Sequence, residues 1–246
     1  MSGLLLLAHP GWAQDPGAGQ PAASSPPADP KVAAEKAEDE AMLRLLGEGA
    51  QLMRSGQPRQ AIETYDKIIA TYEARYQDSK EKLYCANGMA ETLAYMMLAA
   101  SQKQAAKALA PTWAVAYFMK GYALVELRDT ASAKAALEKA RDLSPYNPHF
   151  LNELANIYKG EKNWPLALET YQAAKEHVAA FALPQLKDKD ETAALHGIAF
   201  VYSETGKLDE AETIYKQCLE KNPQDTYAQS ELNYIAQQRA KQAQVR

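Results

Sequence analysis

The sequence predicts an all-α solenoid of stacked helical hairpins, closed by a C-terminal capping helix. Three observations carry that reading. Small, aromatic and proline residues recur five times at a spacing of 34 residues. A period of that length marks a paired-helix unit that buries its apolar face only by stacking on its neighbours. Apolar residues make up 47% of the chain, much of them alanine, which suits close helix–helix contact. Beyond residue 30, glycine and proline are scarce and fall mostly at hairpin boundaries, where they stop helices rather than interrupt them.

The last copy, residues 192–225, sets the register. Its A helix ends near Glu204, Gly206 makes the turn, and its B helix runs from Leu208 to Glu220 before Asn222 and Pro223 stop it. Ala199 and Ala211 are small where the two helices cross, and Tyr202 and Tyr215 fill the gaps beside the crossing.

From the N-terminus, residues 1–13 read as the end of a secretory signal. Leu4, Leu5, Leu6 and Leu7 form an apolar run, and Gly11 and Ala13 precede a cut after Ala13. The basic segment of such a signal is missing, so this reading places the true start upstream. The plain alternative is a weakly hydrophobic N-terminus. The run is too short to span a bilayer, and no cysteine lies near the cut to take a lipid. Residues 14–30 are rich in Ala, Gly, Ser and Pro and read as a flexible tether. Together they place the protein in the periplasm of a bacterial envelope, with a cytoplasmic location as the alternative.

Residues 31–40 are charged and alanine-rich, extending the first A helix. The first hairpin spans 42–75, with Leu45, Gly49, Leu52, Gly56, Ala61, Tyr65 and Ile68 in register. Glu73 stands in place of a proline, so its B helix extends to about Tyr76. The copy at 80–113 is degenerate: Ala99, Ala106 and Pro111 hold the spacing, but Asn87 takes a small-residue position and Lys103 an aromatic one. It is expected to remain a helical hairpin. Residues 114–147 follow, with Lys120 at a leucine position, its charge snorkelling outward. In the copy at 148–181, Ala179 replaces the final proline and the B helix runs on to about Ala182. Spacers at 77–79 and 183–191 break strict tandem order. The second carries Pro184 and the charges Lys187, Asp188, Lys189 and Asp190, and reads as a loop on one face that is either neutral or part of a binding surface. Residues 226–242 form the capping helix, with Leu232, Ile235 and Ala236 on one stripe, and 243–246 are a tail.

Leu195, Ile198, Ala199, Tyr202, Gly206, Ala211, Tyr215, Cys218 and Pro223 occupy nearly every key position of the tetratricopeptide (TPR) consensus. The chain resembles that family over 42–242, most fully in the last three copies and least in the second. The resemblance implies a right-handed superhelix whose A helices line a concave groove that binds other proteins. Carried over position by position, the groove comprises Tyr84, Cys85 and Glu91; Phe118, Met119, Tyr122 and Glu126; His149, Asn152, Glu153, Asn156 and Lys159; His196, Phe200 and Glu204; and Tyr227, Glu231 and Tyr234. Tyr84, Phe118, Tyr122 and Phe200 are surplus to the structural aromatics Tyr117, Tyr158, Tyr202 and Tyr215. They read as interface anchors, or else as packing against the next A helix. Chaperone-binding TPR domains grip a carboxylate with lysine, asparagine and arginine at set positions. Here Asn152 and Asn156 are present, but the first lysine position is asparagine, Gly197 stands at an asparagine one, and no groove arginine follows. That mode is rejected.

The sequence implies a non-catalytic scaffold or adaptor for one or more proteins or peptides, without a cofactor. Net charge is −4 with both signs interspersed, which argues against a nucleic-acid partner. No phosphate loop, zinc-protease helix, C-x-x-C or G-x-S-x-G is present. One looser reading lets His149, Glu153 and His196 converge on a metal or a catalytic site. Another makes the protein a self-assembling structural component through Leu43, Leu46 and Met53, although polar Gln237, Gln238, Arg239 and Lys241 discourage stacking at the far end. The oligomeric expectation is a monomer or weak oligomer. Cys85 and Cys218 are predicted to be free thiols, three repeats apart, and His177 a solvated B-helix residue.

Overall fold

The structure, a computed structural model, describes residues 29–244. The expected signal at 1–13, most of the tether at 14–30 and the end of the tail lie outside the described residues. The chain divides into an N-terminal unit ending at Ala37 and a main unit from Glu38 onward. Of the first unit, the described part is the opening of α1 (Pro30–Arg54), where the Lys31 amide donates to Asp29 Oδ1 at 2.9 Å.

The main unit completes α1 and continues with α2 (Pro58–Tyr76), β1 (Lys82–Cys85), α3 (Met89–Ser101) and β2 (Ala106–Leu109). Then follow α4 (Thr112–Glu126), α5 (Thr130–Leu143), α6 (Pro148–Gly160), α7 (Trp164–Phe181), α8 (Lys187–Glu204), α9 (Leu208–Lys221) and α10 (Thr226–Gln244). It is an all-α solenoid in which α4–α5, α6–α7 and α8–α9 are hairpins and α10 lies on α9 and α8, while α1 and α2 form the first hairpin, with Gly49 against the Tyr65 ring.

Local chemistry sets these boundaries. Pro58 and Pro148 open α2 and α6, where an absent amide proton costs nothing. Asp129, Asn147 and Asn163 cap α5, α6 and α7 through side-chain oxygens that accept from Ser132, His149, Phe150 and Leu166 amides. Every hairpin turn contains one left-handed residue: Gly56 (φ +70°), Arg128 (+61°), Lys162 (+56°) and Gly206 (+80°). Arg128 and Lys162 are not glycine and therefore carry backbone strain.

The core runs along the stack, joining Tyr65, Ile68 and Tyr72 to Trp113, Tyr117 and Leu137, then to Phe150, Leu154 and Tyr171. A smaller cluster of Leu195, Ala211, Tyr215, Cys218, Ala228 and Ile235 fastens the cap. Lys120 behaves as its position requires: its stem is half-buried and its ammonium reaches Asp66 at 2.6 Å. Both cysteines are free and buried.

Two expectations fail. Residues 80–113 are not a helical hairpin but a β–α–β insert, with β1 and β2 parallel and Leu83 opposite Lys107. Asn87 and Lys103 explain it, because a crossing needs a small residue and an aromatic filler where these stand. Lys103 follows α3 in a left-handed conformation (φ +55°), and α2 packs directly on α4, so the insert leaves the stack unbroken. Nor is 183–191 a looped-out spacer. Its second half is the start of α8, and Asp190, at 1% exposure, points inward.

Candidate partner-binding face

The A helices α6, α8 and α10 neighbour one another as well as their hairpin partners. Their shared face is built first by contacts between successive repeats. Phe118 of α4 stacks on Phe150 of α6, with ring centroids 4.7 Å apart, and lies 5.1 Å from His149. Asn152, one repeat on, donates from Nδ2 to the Asp190 carbonyl at 2.9 Å, while His149 Nδ1 meets Asp190 Oδ1 at 2.7 Å. His196, again at the equivalent position, places Nε2 2.7 Å from Asp225 Oδ2. Phe118, Asn152 and His196 thus join each A helix to the start of the next.

Above that layer lies a cluster of exposed and half-buried groups. Lys159 sits over two rings, with Nζ 5.3 Å from the Phe200 centroid and 6.0 Å from that of Tyr171. Burial holds its pKa below the usual lysine range, against the opposing pull of Glu153 and Glu231. Burial and the nearby Glu204 carboxylate push Glu231 up. Tyr171 donates to Asn156 Oδ1 at 2.6 Å, which fixes the amide at the centre of the face. Gly197 makes this possible: a Cβ there would lie 2.4 Å from Tyr171 ring carbons, so only glycine lets α7 and α8 close around that ring. Tyr227 packs on the His196 ring at 4.7 Å and still exposes 39% of its surface.

Of the sequence-derived groove residues, the structure gathers Glu153, Asn156, Lys159, Phe200, Glu204, Tyr227 and Glu231 on this C-terminal part. Tyr234 is exposed at 42% on α10. Tyr122 (44%), Glu126 and half-buried Met119 lie further along, on α4. Phe118 and Asn152 are buried by the next repeat and are not free anchors. Tyr84, Cys85 and Glu91 belong to no A helix. Tyr84 is buried on β1 against Tyr95 (5.1 Å), Cys85 is buried and accepts a hydrogen bond from Ser144 Oγ at its carbonyl (2.6 Å), and buried Glu91 accepts from the Asn87 amide (2.6 Å).

Two features escaped the sequence reading. An aromatic chain runs from Tyr84 and Tyr95 through Tyr146 to His177 and Phe181, seating the insert against α7. His177 is accordingly half-buried rather than solvated, and burial lowers its pKa. The insert helix α3 also turns Met89, Leu93 and Met97 outward at 85%, 61% and 64% exposure, with Glu91, Tyr95 and Ala99 on its inner face. The regular spacing of that stripe was visible in the sequence, but an assumed hairpin register hid it.

His149, Glu153 and His196 do not gather, because each histidine is engaged by its own aspartate. Among the described residues, one set of potential metal ligands does come together: His196, Cys218 and Asp225. The two thiols make poor nucleophiles, with Cys85 pushed up to about 12 and Cys218 to about 11 by burial. No helix among the described residues is long and apolar enough to cross a membrane.

Residues 118–182 and 192–225 each match a family profile described as tetratricopeptide repeat. These stretches run from within α4 to just past α7 and from within α8 to just past α9, and over them the chain carries tetratricopeptide repeats. No curated protein matches it in sequence. Among solved structures, PilF of Pseudomonas aeruginosa is similar at 13% identity and a TM-score of 0.56, over 82% of this chain and 71% of that one. MamA of Desulfovibrio magneticus RS-1 is similar at 14% identity and a TM-score of 0.54, over 81% and 85%. The first TPR of Spaghetti (RPAP3), bound to an HSP90 peptide, shares 26% identity at a TM-score of 0.44, over 52% and 93%. The first two likenesses are of fold.

Proposed function

We propose that the protein is a non-catalytic scaffold that holds a partner polypeptide on the A-helix face of α4, α6, α8 and α10. The observation that carries this reading is the exposure of Tyr122 on α4, whose other aromatics Trp113, Tyr117 and Phe118 are buried, and of Tyr227 and Tyr234 on α10, all at 39–44%. Rigid aromatics left free on one face, beside a lysine already stripped of much of its water, are what an interface anchor requires. Glu153 and Glu231 lie near Lys159 and Glu204 lies near Glu231, so carboxylates outnumber the single ammonium there and favour a segment that brings basic side chains beside its apolar anchors. The periplasmic setting belongs to the same proposal and rests on the sequence of residues 1–30 alone.

The test compares cross-linked capture from the native host by wild type and by a Tyr122→Ala/Tyr234→Ala variant. Both side chains are exposed, so truncation leaves the core intact. Capture of one protein by wild type, lost in the variant, supports the face. Equal capture by both moves the binding site elsewhere, with the Met89–Leu93–Met97 stripe next in line. Protease protection in fractionated cells tests the location.

A further inference from the structure

His196 on α8, Cys218 on α9 and Asp225 at the head of α10 come from three separate segments, yet their ligand atoms all lie within 4.8 Å of one another. We propose that His196 Nε2, Cys218 Sγ and Asp225 Oδ2 bind a zinc-type divalent metal that clamps the capping helix onto the last hairpin. A tetrahedral centre with Zn–S of about 2.3 Å and Zn–N and Zn–O of about 2.0 Å separates its ligand atoms by roughly 3.3–3.7 Å. The imidazole–carboxylate pair now stands at 2.7 Å, so closing around an ion takes side-chain shifts of about 1 Å.

The supporting contacts are those a ligand set needs. Asp225 Oδ1 accepts from the Ala228 amide at 3.0 Å, which orients the carboxylate and holds Oδ2 toward His196 Nε2, the place an ion would take between them. The Tyr227 ring lies 4.7 Å and the Tyr215 ring 6.3 Å from that of His196, fixing its plane. Cys218 and Asp225 are 3% and 8% exposed, whereas the His196 side chain is 20% exposed, leaving a fourth position for water on its side. On binding, the thiol releases its proton to solvent, and the imidazole gives up the Nε2 proton it now shares with Asp225 and carries one at Nδ1 instead. Thiolate and carboxylate then balance the two positive charges of the ion.

The protein's own repeats show that packing alone does not demand these residues. Ala140 and Ala174, fully buried, hold the position of Cys218 in the two preceding hairpins. Asn147 caps α6 where Asp225 caps α10. Small size and a capping oxygen are satisfied there without a thiol or a charge. Both departures toward ligand chemistry occur at one junction, next to a histidine.

Metal-stripped full-length protein titrated with Co2+ should show, at one equivalent, the intense visible absorption of a tetrahedral ion and a sulfur-to-metal charge-transfer band. Zn2+ at about a hundredfold over its Kd should raise Tm by about 5 °C or more. Cys218→Ala, which the preceding hairpins show the packing accepts, should keep the metal-free Tm and lose both the band and the zinc shift. Asp225→Asn should keep the cap, because asparagine caps as well as aspartate, and weaken binding by about tenfold or more. A wild type without band or shift overturns the proposal. So do variants that bind as wild type does, which would place the metal elsewhere.

Discussion

Replacing Gly197 by alanine sets two effects of opposite sign against each other, and the geometry decides between them. Alanine is the better helix former by about 1 kcal/mol, and Gly197 lies well inside α8. Its Cβ, however, would stand 2.4 Å from two carbons of the Tyr171 ring and 2.5 Å from a third, where contact normally begins near about 3.5 Å. Tyr171 cannot retreat, because the side chain is 1% exposed and its hydroxyl is tied to Asn156. Overpacking of this kind costs about 1–3 kcal/mol, and three ring atoms in conflict put it at the upper end. The net expectation is a loss of about 1–2 kcal/mol. Gly47→Ala is the control: it is exposed on α1 with nothing within 4 Å of the added carbon, so it should gain about 0.5–1 kcal/mol. Urea unfolding followed by far-UV circular dichroism measures both. If Gly197→Ala proves as stable as Gly47→Ala, α7 and α8 do not close around the Tyr171 ring.

Other substitutions probe separate parts of the fold. Asp190→Ala strips the buried partner from His149 and should cost about 2–3 kcal/mol by chemical denaturation. Lys189→Ala, at the exposed position just before it, should stay within about 0.5 kcal/mol of wild type. Arg128→Gly and Lys162→Gly each remove a left-handed non-glycine residue from a hairpin turn and should stabilise by about 0.5–1 kcal/mol in thermal or urea melts. Burial between Tyr146 and Phe181 holds the His177 imidazole below its ordinary value in the folded state. Its contribution to stability is therefore full above the unfolded value and is lost as pH falls through the folded one. His177→Phe should flatten the stability-versus-pH curve below about pH 6.5, and an unchanged slope would count against that burial. Tyr95→Ala empties a fully buried ring site in the insert. Hydrogen exchange should rise across β1, α3 and β2 while α4–α9 keep their protection, because α2 rests directly on α4.

The repeat period made the helices legible because it reports a packing rule that each hairpin obeys by itself. Gly206 in its turn, α2 running to Tyr76 and α7 to Phe181 all follow from local chemistry at the expected residues. Where a stretch broke that rule, the period carried no information about what replaced it. Asn87 and Lys103 marked 80–113 as degenerate without showing that it does not close as the expected hairpin, because the pairing of β1 with β2 joins residues from opposite sides of α3. Asp190 was illegible for a related reason. In sequence it belongs to a run of alternating charges, and only the arrival of His149 and Asn152 from another hairpin gives its carboxylate and carbonyl their buried partners.

The same distinction bears on the face itself. The family pattern treats Phe118, Asn152 and His196 as groove positions, yet each is occupied by the next A helix or its cap. What remains free is the row above them, Tyr122 on α4, Asn156 and Lys159 on α6, and Phe200 on α8, continued by Tyr227 and Tyr234 on α10. The inter-repeat contacts are short and polar on the C-terminal side and aromatic on the N-terminal side. A partner that spreads along the row therefore meets a surface whose spacing is fixed by those contacts beneath it. Loosening one of them, as Asp190→Ala does, should weaken binding without touching a side chain that the partner contacts. An Asp190→Ala variant that is measurably less stable yet captures the partner as well as wild type would show that the row does not need this support.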